Sequence, residues 1–376
     1  MHTQQTRIFK KIRLFLDMIK ELDNLCIRYL VNELKPLLVG SYINKIQEVE
    51  KGVFKFKLHT KEGSKNLIVT SKCFYFTSYS FKAPMKPHGY SLFLRKRLEN
   101  ERILDVRQHK WERIVIFETK NYLLLLELFA NGNIILLDKE LNILMPFKKE
   151  IWKDREIKKE TKYSFPKTTK LDPPFKVEDI IKALEGKNTF RELLAKLNVA
   201  PLYLEEALKE SKNDISKLVK ILNSMYDPKE EKKFVCLVEH RNANKLSPIR
   251  LKNFKVVAEF ESLNSALDEI FSKEILQKEK ILEAEKKDRR LKELKFNLEK
   301  IKLKAKELEQ QISELKKSAE WLYLHYAEVQ EMLRIVRNCI KKGLKEEEIL
   351  EELKKAGIKL KVKINTKGKE IEVEVM

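Results

Sequence analysis

One run of apolar side chains between Leu294 and Ile340 constrains this chain more than any other feature. Positions 294, 298, 301, 305, 308, 312, 315, 319, 322, 326, 329, 333, 336 and 340 carry Leu, Leu, Ile, Ala, Leu, Ile, Leu, Ala, Leu, Tyr, Val, Leu, Val and Ile. The steps alternate four, three, four, three, the spacing that keeps one stripe of an α-helix turned toward a partner in a left-handed coiled coil. Lys and Glu fill the flanks. Helices take most of their stability from burying such a stripe, so a seam of this length requires a covering helix. The pattern predicts one long helix from about residue 265 onward, with the last few seam positions also compatible with a compact helical tip. No second heptad run occurs in the chain to cover it.

The rest of the chain mixes helix and strand signals. Residues 22–39 have helical spacing, with Pro36 expected to end or kink the helix and Gly40 to stop it. VFKFKL at 53–58 alternates apolar and Lys residues, and with NLIVT and CFYFTS it predicts an antiparallel meander. Residues 91–103 suit a basic helix. RIVIFE, YLLLLELF and NIILLD are strands separated by turns, and the unbroken Leu123 to Leu126 run suits a strand buried on both faces. The charged, Pro-punctuated stretch 146–177 reads as a domain margin. Four short amphipathic helices follow, then a β-like return at 234–260, and the tail pairs a helix with a Lys-against-Glu hairpin. The fold class is α+β, with expected boundaries 1–20 (basic extension), 21–170 (β-rich domain), 171–230 (helical module), 231–265 (return segment), 266–325 (coiled-coil helix) and 326–376 (middle domain with hairpin).

Charge points to the partner. Lys and Arg number 78 against 57 Asp and Glu, a formal net charge of +21. A Lys/Glu-rich background would raise both signs together. The one-sided excess instead suits a polyanion, whose condensed counterions are released as each phosphate is neutralised. Cys26, Cys73, Cys236 and Cys339 are scattered without metal spacing, so no metal or cofactor is expected, and isolated thiols suit a reducing cytoplasm. No stretch of about 18 apolar residues exists to span a bilayer. The first 17 residues are basic and amphipathic, and Met18 is an alternative start. Nucleotide-binding glycine loops, nucleophile elbows and HExxH pairs are all absent, which argues against an enzyme. Asp154 and Arg155 read as a solvated charge run.

The candidate binding surface is the segment 92–118. Arg95, Lys96, Arg97, Arg102, Arg107 and Arg113 are dense there, interleaved with Phe93 and Trp111 and preceded by Tyr90. Basic side chains hold phosphates and aromatic rings stack on unpaired bases. The plainer alternative makes Phe93, Leu94 and Leu98 core and the charges mere solvation. Glu112 beside Arg113 is either an ordinary ion pair or an acceptor and a guanidinium fork offered to RNA.

At these residues the chain resembles the NFACT family of ribosome-associated quality-control factors of the NEMF and RqcH type. The matching stretches are 22–47, 86–118, ELFANGNIILLD (127–138), SALDEIF (265–271) and the segment around 321–337, the last two closest to archaeal members. The resemblance implies a β-rich N-terminal domain, a helix-hairpin-helix module, and a coiled-coil helix with a small α/β middle domain. It implies a factor that binds the large ribosomal subunit holding an obstructed nascent chain and recruits tRNA, which many members use for untemplated C-terminal addition. The family's Asp-Arg pair for tRNA falls on Glu112 and Arg113. Its N-terminal functional Asp falls on Asp23 by one spacing and on Cys26 by another. Asn131 and Asn133 join the RNA-binding candidates from the 127–138 match. The hairpin glycines are replaced near Ala200-Pro201, which puts phosphate binding there in doubt. Full members continue with a returning helix and a further RNA-binding domain, so either this sequence is a piece of a longer protein or the gene is split and a second polypeptide supplies the helix that pairs with 294–340. Rival readings are a repair protein of formamidopyrimidine-glycosylase-like fold, which would need an N-terminal Pro-Glu that is missing here, and a structural coiled-coil adaptor.

Overall fold

The computed structural model describes residues 21–82, 89–152, 155–184, 190–212, 214–227, 235–241, 243–359, 362–365 and 370–373. The basic N-terminal extension, Asp154 and the turn of the C-terminal hairpin lie outside them. The chain divides into two compact units, residues up to Ile281 and those from Leu282 onward.

The first unit opens with α1 (Asn24–Leu38), whose N-cap Asp23 accepts a hydrogen bond from the Cys26 amide at 2.8 Å. Pro36 sits two residues before the helix ends, and Gly40 follows at φ +87°, as the turn chemistry requires. Four strands then form an antiparallel meander: β1 (Tyr42–Glu50), β2 (Val53–Thr60), β3 (Gly63–Thr70) and β4 (Phe74–Thr77). After α2 (Gly89–Leu98) comes a second, five-stranded meander. Its strands are β5 (Asp105–Gln108), β6 (Ile114–Glu118), β7 (Leu123–Glu127), β8 (Asn133–Leu137) and β9 (Ile143–Pro146).

The two meanders share one core. Phe54, Phe56, Leu67 and Val69 of the first meet Val115, Phe117, Leu124 and Leu126 of the second, with Phe74 edge-on to Phe117 at 5.3 Å. The other face of the second meander buries Ile114, Ile116, Leu123 and Leu125 against Ile157 and Tyr163. The unbroken leucine run of β7 is therefore buried on both sides, as its composition predicts.

The hairpin β10 (Glu150–Trp152) and β11 (Arg155–Ile157) follows. Arg155 is not a solvated charge. It pairs at 2.7 Å with Glu127, which is 1% exposed and also accepts from the Tyr163 hydroxyl at 2.7 Å. Desolvation pushes the Glu127 carboxyl above its ordinary range, with Tyr163 and Arg155 pulling it back.

Four helices, α3 (Val177–Leu184), α4 (Phe190–Lys196), α5 (Pro201–Ser211) and α6 (Ile215–Met225), build a second core. They share it with a three-stranded sheet of β12 (Val235–His240), β13 (Ala243–Ser247) and β14 (Val256–Phe260). The short α7 (Leu263–Leu267) starts in a capping box of Ser262 and Ser265, and Glu33 accepts the amides of Leu263 and Asn264.

The long helix is interrupted near both of its ends. A π-helical turn (Asp268–Ser272) precedes α8 (Lys273–Leu324). Asp268 there accepts from Ser78 and Ser272, which ties the turn to the residue after β4. At the far end His325 leaves helical geometry, and α9 (Tyr326–Lys341) begins anew.

Within the second unit the seam splits at that break. Its leucines and isoleucines from Leu294 to Leu322 are between 48% and 69% exposed. Beyond it Val329 and Val336 join Met332 and Cys339 in a small core with α10 (Glu346–Lys355) and the hairpin β15 (Val362–Asn365) and β16 (Glu370–Val373). In that hairpin Lys363 lies opposite Glu372, as the alternation predicts.

Two outcomes follow. A Cβ at Gly132, which has φ +63°, would sit 1.9 Å from the Ser71 carbonyl oxygen. Gly132→Ala is therefore expected to cost at least about 2 kcal/mol, read as a lowered thermal midpoint. Arg155→Ala strands the Glu127 carboxylate and is expected to cost about 3 kcal/mol at neutral pH. The variant's Glu127 has a folded pKa raised further above its unfolded value. That penalty grows as pH climbs from the unfolded toward the folded pKa, so the loss should shrink near pH 5 in denaturant titrations.

Candidate nucleic-acid interface

The N-terminus of α1 forms the floor of a cleft of about 510 Å³ in the first unit. Asn24 organises it. Its side-chain amide donates to the Asn198 carbonyl at 2.8 Å, and its own carbonyl accepts from the Gln108 amide at 3.0 Å. Gln108 also donates to the Glu112 carbonyl at 2.8 Å, which closes the turn 109–113 between β5 and β6. Asn198 in turn donates to the Trp111 carbonyl at 3.2 Å and to Asp172 at 2.8 Å. Segments 84 and 174 residues away are thus held at one helix end. Buried amides of this kind leave a cost of about 1–3 kcal/mol each if unpaired, so the junction is well specified.

Around this floor stand charged groups of both signs. Asp23, Glu112 and Arg113 line the cleft together, joined by Glu21, Lys167, Lys170, His240 and Lys245. Arg113 pairs with Glu21. Desolvation raises the Asp23 carboxyl above the aspartate range, against hydrogen bonds from Cys26 and Tyr203 and the charge of Lys245. Burial also raises Glu112, helped by Asp172 and opposed by Arg113, Lys170 and Lys110. Both carboxyl groups are therefore held ready to accept donors from a ligand that brings N–H or O–H groups, while lysines stand at hand for its anions. Cys26 does not line the cleft. Its thiol donates to the Leu246 carbonyl at 3.2 Å beneath the floor, and burial drives it far above the ordinary thiol range. Of the two spacings for the N-terminal carboxylate, only that of Asp23 puts a side chain in the cleft.

Of the other sequence candidates, Trp111 belongs to this lining and the rest lie outside it. Arg95 donates to the Ile46 carbonyl at 2.5 Å and faces Glu99, and Arg97 covers the Phe93 ring at 3.8 Å. Arg107 is held between Glu118 and Asp105. Lys96 is exposed, and so is Asn131, whose carbonyl accepts from Lys148 at 2.6 Å. Asn133 is fully buried. Its amide donates to the Lys148 carbonyl at 2.8 Å and its oxygen accepts the Lys148 amide at 3.0 Å, so it shapes a loop and offers nothing to a ligand. Trp111 has its ring under Arg28 at 4.3 Å and against Tyr226 at 5.2 Å, with its indole N–H on the Pro173 carbonyl, so it is a packing residue. The basic run 95–113 is spread over several elements and much of it is neutralised internally.

Asn24, Asn198, Lys170, Lys245 and His240 were invisible to motif reasoning, because their contact depends on tertiary closure alone. At the start of α5 no side chain caps the helix, and the Ala200 amide donates to the Tyr226 hydroxyl at 3.1 Å. The Ala200 amide is thereby occupied, and Pro201 has none to offer. Among the described residues no group of three or more His, Cys, Asp or Glu side chains could hold a metal, and no helix is long and apolar enough to cross a membrane.

Comparison with known proteins agrees with this architecture. The archaeal Rqc2 homolog aRqcH of Methanocaldococcus jannaschii is 26% identical over 86% of this chain, and the match covers 53% of that protein. Ribosome quality control complex subunit 2 of Saccharomyces cerevisiae is 32% identical over 31% of the chain and 12% of its own length. The chain thus spans about half the length of the archaeal relative and less of the yeast one. The N-terminal part of the fibronectin/fibrinogen-binding protein of Streptococcus suis has the same fold, at a TM-score of 0.57 and 21% identity over 67% of this chain and 99% of that one. The fibrinogen binding protein of Staphylococcus aureus is similar at a TM-score of 0.56 and 20% identity, over 65% and 97%. The family defined by NFACT N-terminal and middle domains matches residues 23–372, and this chain belongs to it.

Proposed function

We propose that this chain is the RNA-binding N-terminal portion of a ribosome quality-control factor, acting without enzymatic chemistry in the cytoplasm. In this reading it engages the large ribosomal subunit that holds an obstructed nascent chain and recruits tRNA to it. The observation that carries the proposal is the convergence of Asp23, Glu112 and Arg113 on one cleft. These are the positions onto which the family's tRNA-recruiting carboxylates and arginine fall. Carboxylates raised by burial accept from base-edge amino groups, a guanidinium donates to phosphate or base-edge oxygens and nitrogens, and flanking lysines supply the backbone term. Relatives named as ribosome quality-control subunits support the setting. The spread-out basic run of 95–113 contributes through Lys96 and the rim charges instead of as one gripping patch, and Asn131 remains an exposed secondary candidate.

The seam of α8 supports a further partner. Its exposed leucines require cover, and we assign that role to a helix of a second polypeptide with Lys- and Glu-flanked heptads.

Two measurements test these assignments. Changing Glu112 and Arg113 together to Ala removes only an exposed pair with Glu21, so thermal stability should hold. Affinity for total tRNA, read by filter binding, should fall at least about tenfold, as for loss of charge-assisted contacts. Unchanged tRNA affinity, or stronger binding to duplex DNA than to large subunits in co-sedimentation, overturns the reading. For the seam, light scattering after size exclusion should find that the chain, lacking its partner helix, self-associates through the exposed stripe at micromolar concentration, and Ile312→Glu with Leu315→Glu should abolish this. A monomer with full helix content sinks that part.

A further inference from the structure

The outward face of the β1–β4 meander carries an arrangement that folding alone does not call for. Partner pairs on this face are Tyr42 with His59, Lys45 with Lys57, and Gln47 with Lys55. The register shifts between Ile43 and Lys45, which leaves Asn44 unpaired in a β-bulge. The bulge lets Ile43 and Ile46 both point into the core, where both are buried, and turns two consecutive residues outward. Any polar side chain at 45 would satisfy that need. Instead a lysine sits directly across from another lysine, and like charges in that position are destabilising.

No carboxylate offsets them. Among the described residues Lys45, Lys55 and Lys57 form no salt bridge, and Lys55 spends one N–H on the Phe81 carbonyl at 3.2 Å. The charges that act on Lys55 are Lys45 and Lys57, which, after burial, hold its amine below the usual lysine range. The neighbours on β3 in the same rows are Ser64, Asn66 and Ile68, so no acid enters from that side either. The row continues past β1. Arg102 bridges to Tyr42, with its guanidinium 5.9 Å from the ring, and among the described residues its side chain bonds the Gly40 carbonyl alone, at 3.3 Å. Tyr42 is 48% exposed and His59 beside it is exposed.

We propose that this sheet face, centred on Lys45, Lys55, Lys57 and Arg102, is a second RNA-binding surface that holds the phosphates of a single-stranded segment while Tyr42 and His59 receive its bases. The inference rests on the reading that the chain binds RNA, and it adds a surface separate from the cleft, whose lining includes none of these residues. Several features favour RNA over an acidic protein segment. Lysines on alternate positions of one strand stand about 6.5–7 Å apart, comparable to the phosphate repeat of an extended strand. Exposed rings among unpaired cations are the elements of a sequence-tolerant single-strand platform. An anion between Lys45 and Lys57 removes the repulsion that the free protein carries.

The test uses the full chain and a fluorescein-labelled oligouridine, followed by anisotropy across a salt series. Lys45→Gln with Lys57→Gln should weaken binding roughly tenfold or more near 0.1 M salt. The slope of log affinity against log salt should flatten by about 1.4, the share of two phosphates on a single strand. The same variant should keep or raise its thermal midpoint, by about 1–3 °C, since it relieves like-charge repulsion. Tyr42→Ala should weaken binding about fivefold or more with the slope unchanged, because stacking releases no counterions. Lys45→Arg with Lys57→Arg should bind as the parent does. An unaltered salt slope in the Gln variant overturns the proposal. So does polyglutamate competing as well as RNA of equal charge, which would mark an acidic protein partner. Intact tRNA loss in the cleft variant with no effect on the sheet overturns this inference alone, and the reverse pattern overturns the cleft reading alone.

Discussion

The candidate site depends on the polar junction at the start of α1. Asn24 is buried, yet its amide and carbonyl groups reach the α4–α5 link and the turn between β5 and β6. Those contacts turn three surface segments into the walls of one cleft. An apolar side chain at 24 would keep the backbone carbonyl that accepts from Gln108 but lose the amide that donates to Asn198, leaving that carbonyl to find another donor. The cost of unpaired buried amides makes such a junction selective for one arrangement of its neighbours. Asp23 gains its position from the same geometry, since its carboxylate caps the helix while facing the cleft.

Electrostatics divides the molecule's large positive charge into two kinds. Part of it is structural: Arg155 neutralises Glu127 in the interior, Arg107 bridges two carboxylates, and Arg28 lies over Trp111. Other cations form surface pairs, such as Arg113 with Glu21 and Lys35 with Asp105, whereas Lys45, Lys55 and Lys57 on the outer meander face have no acidic partner among the described residues. A net charge of +21 therefore suits a polyanion partner, and the ion pairs decide which surfaces are left free to meet one.

The long helix shows how a repeat pattern is read differently by different surroundings. The heptad spacing runs on past His325, yet the helix does not. Up to Leu322 the stripe is presented to solvent, and beyond the break a closing hairpin and α10 bury Val329 and Val336 together with Met332 and Cys339, which lie off the stripe. Periodicity is a local property of the chain, whereas the face that becomes buried is set by what packs nearby.

The sequence by itself determined the elements and their class. Alternation in β2, the two-faced leucine run of β7, the stop of α1 at Gly40 and the Lys-Glu hairpin all follow from side-chain period and turn chemistry, which act over a few residues. It also carried the one-sided positive charge, and through the family resemblance it pointed to Glu112 and Arg113 as candidates. Tertiary structure alone decided that Arg155 is an interior ion-pair member, that Asn133 and Trp111 are scaffolding, and that Asp23 instead of Cys26 faces the cleft. It alone brought Lys170, Asn198 and Lys245 beside them. The reason is physical: these outcomes depend on which groups meet across more than a hundred residues and on how much water each loses there, and neither quantity is written in a local pattern.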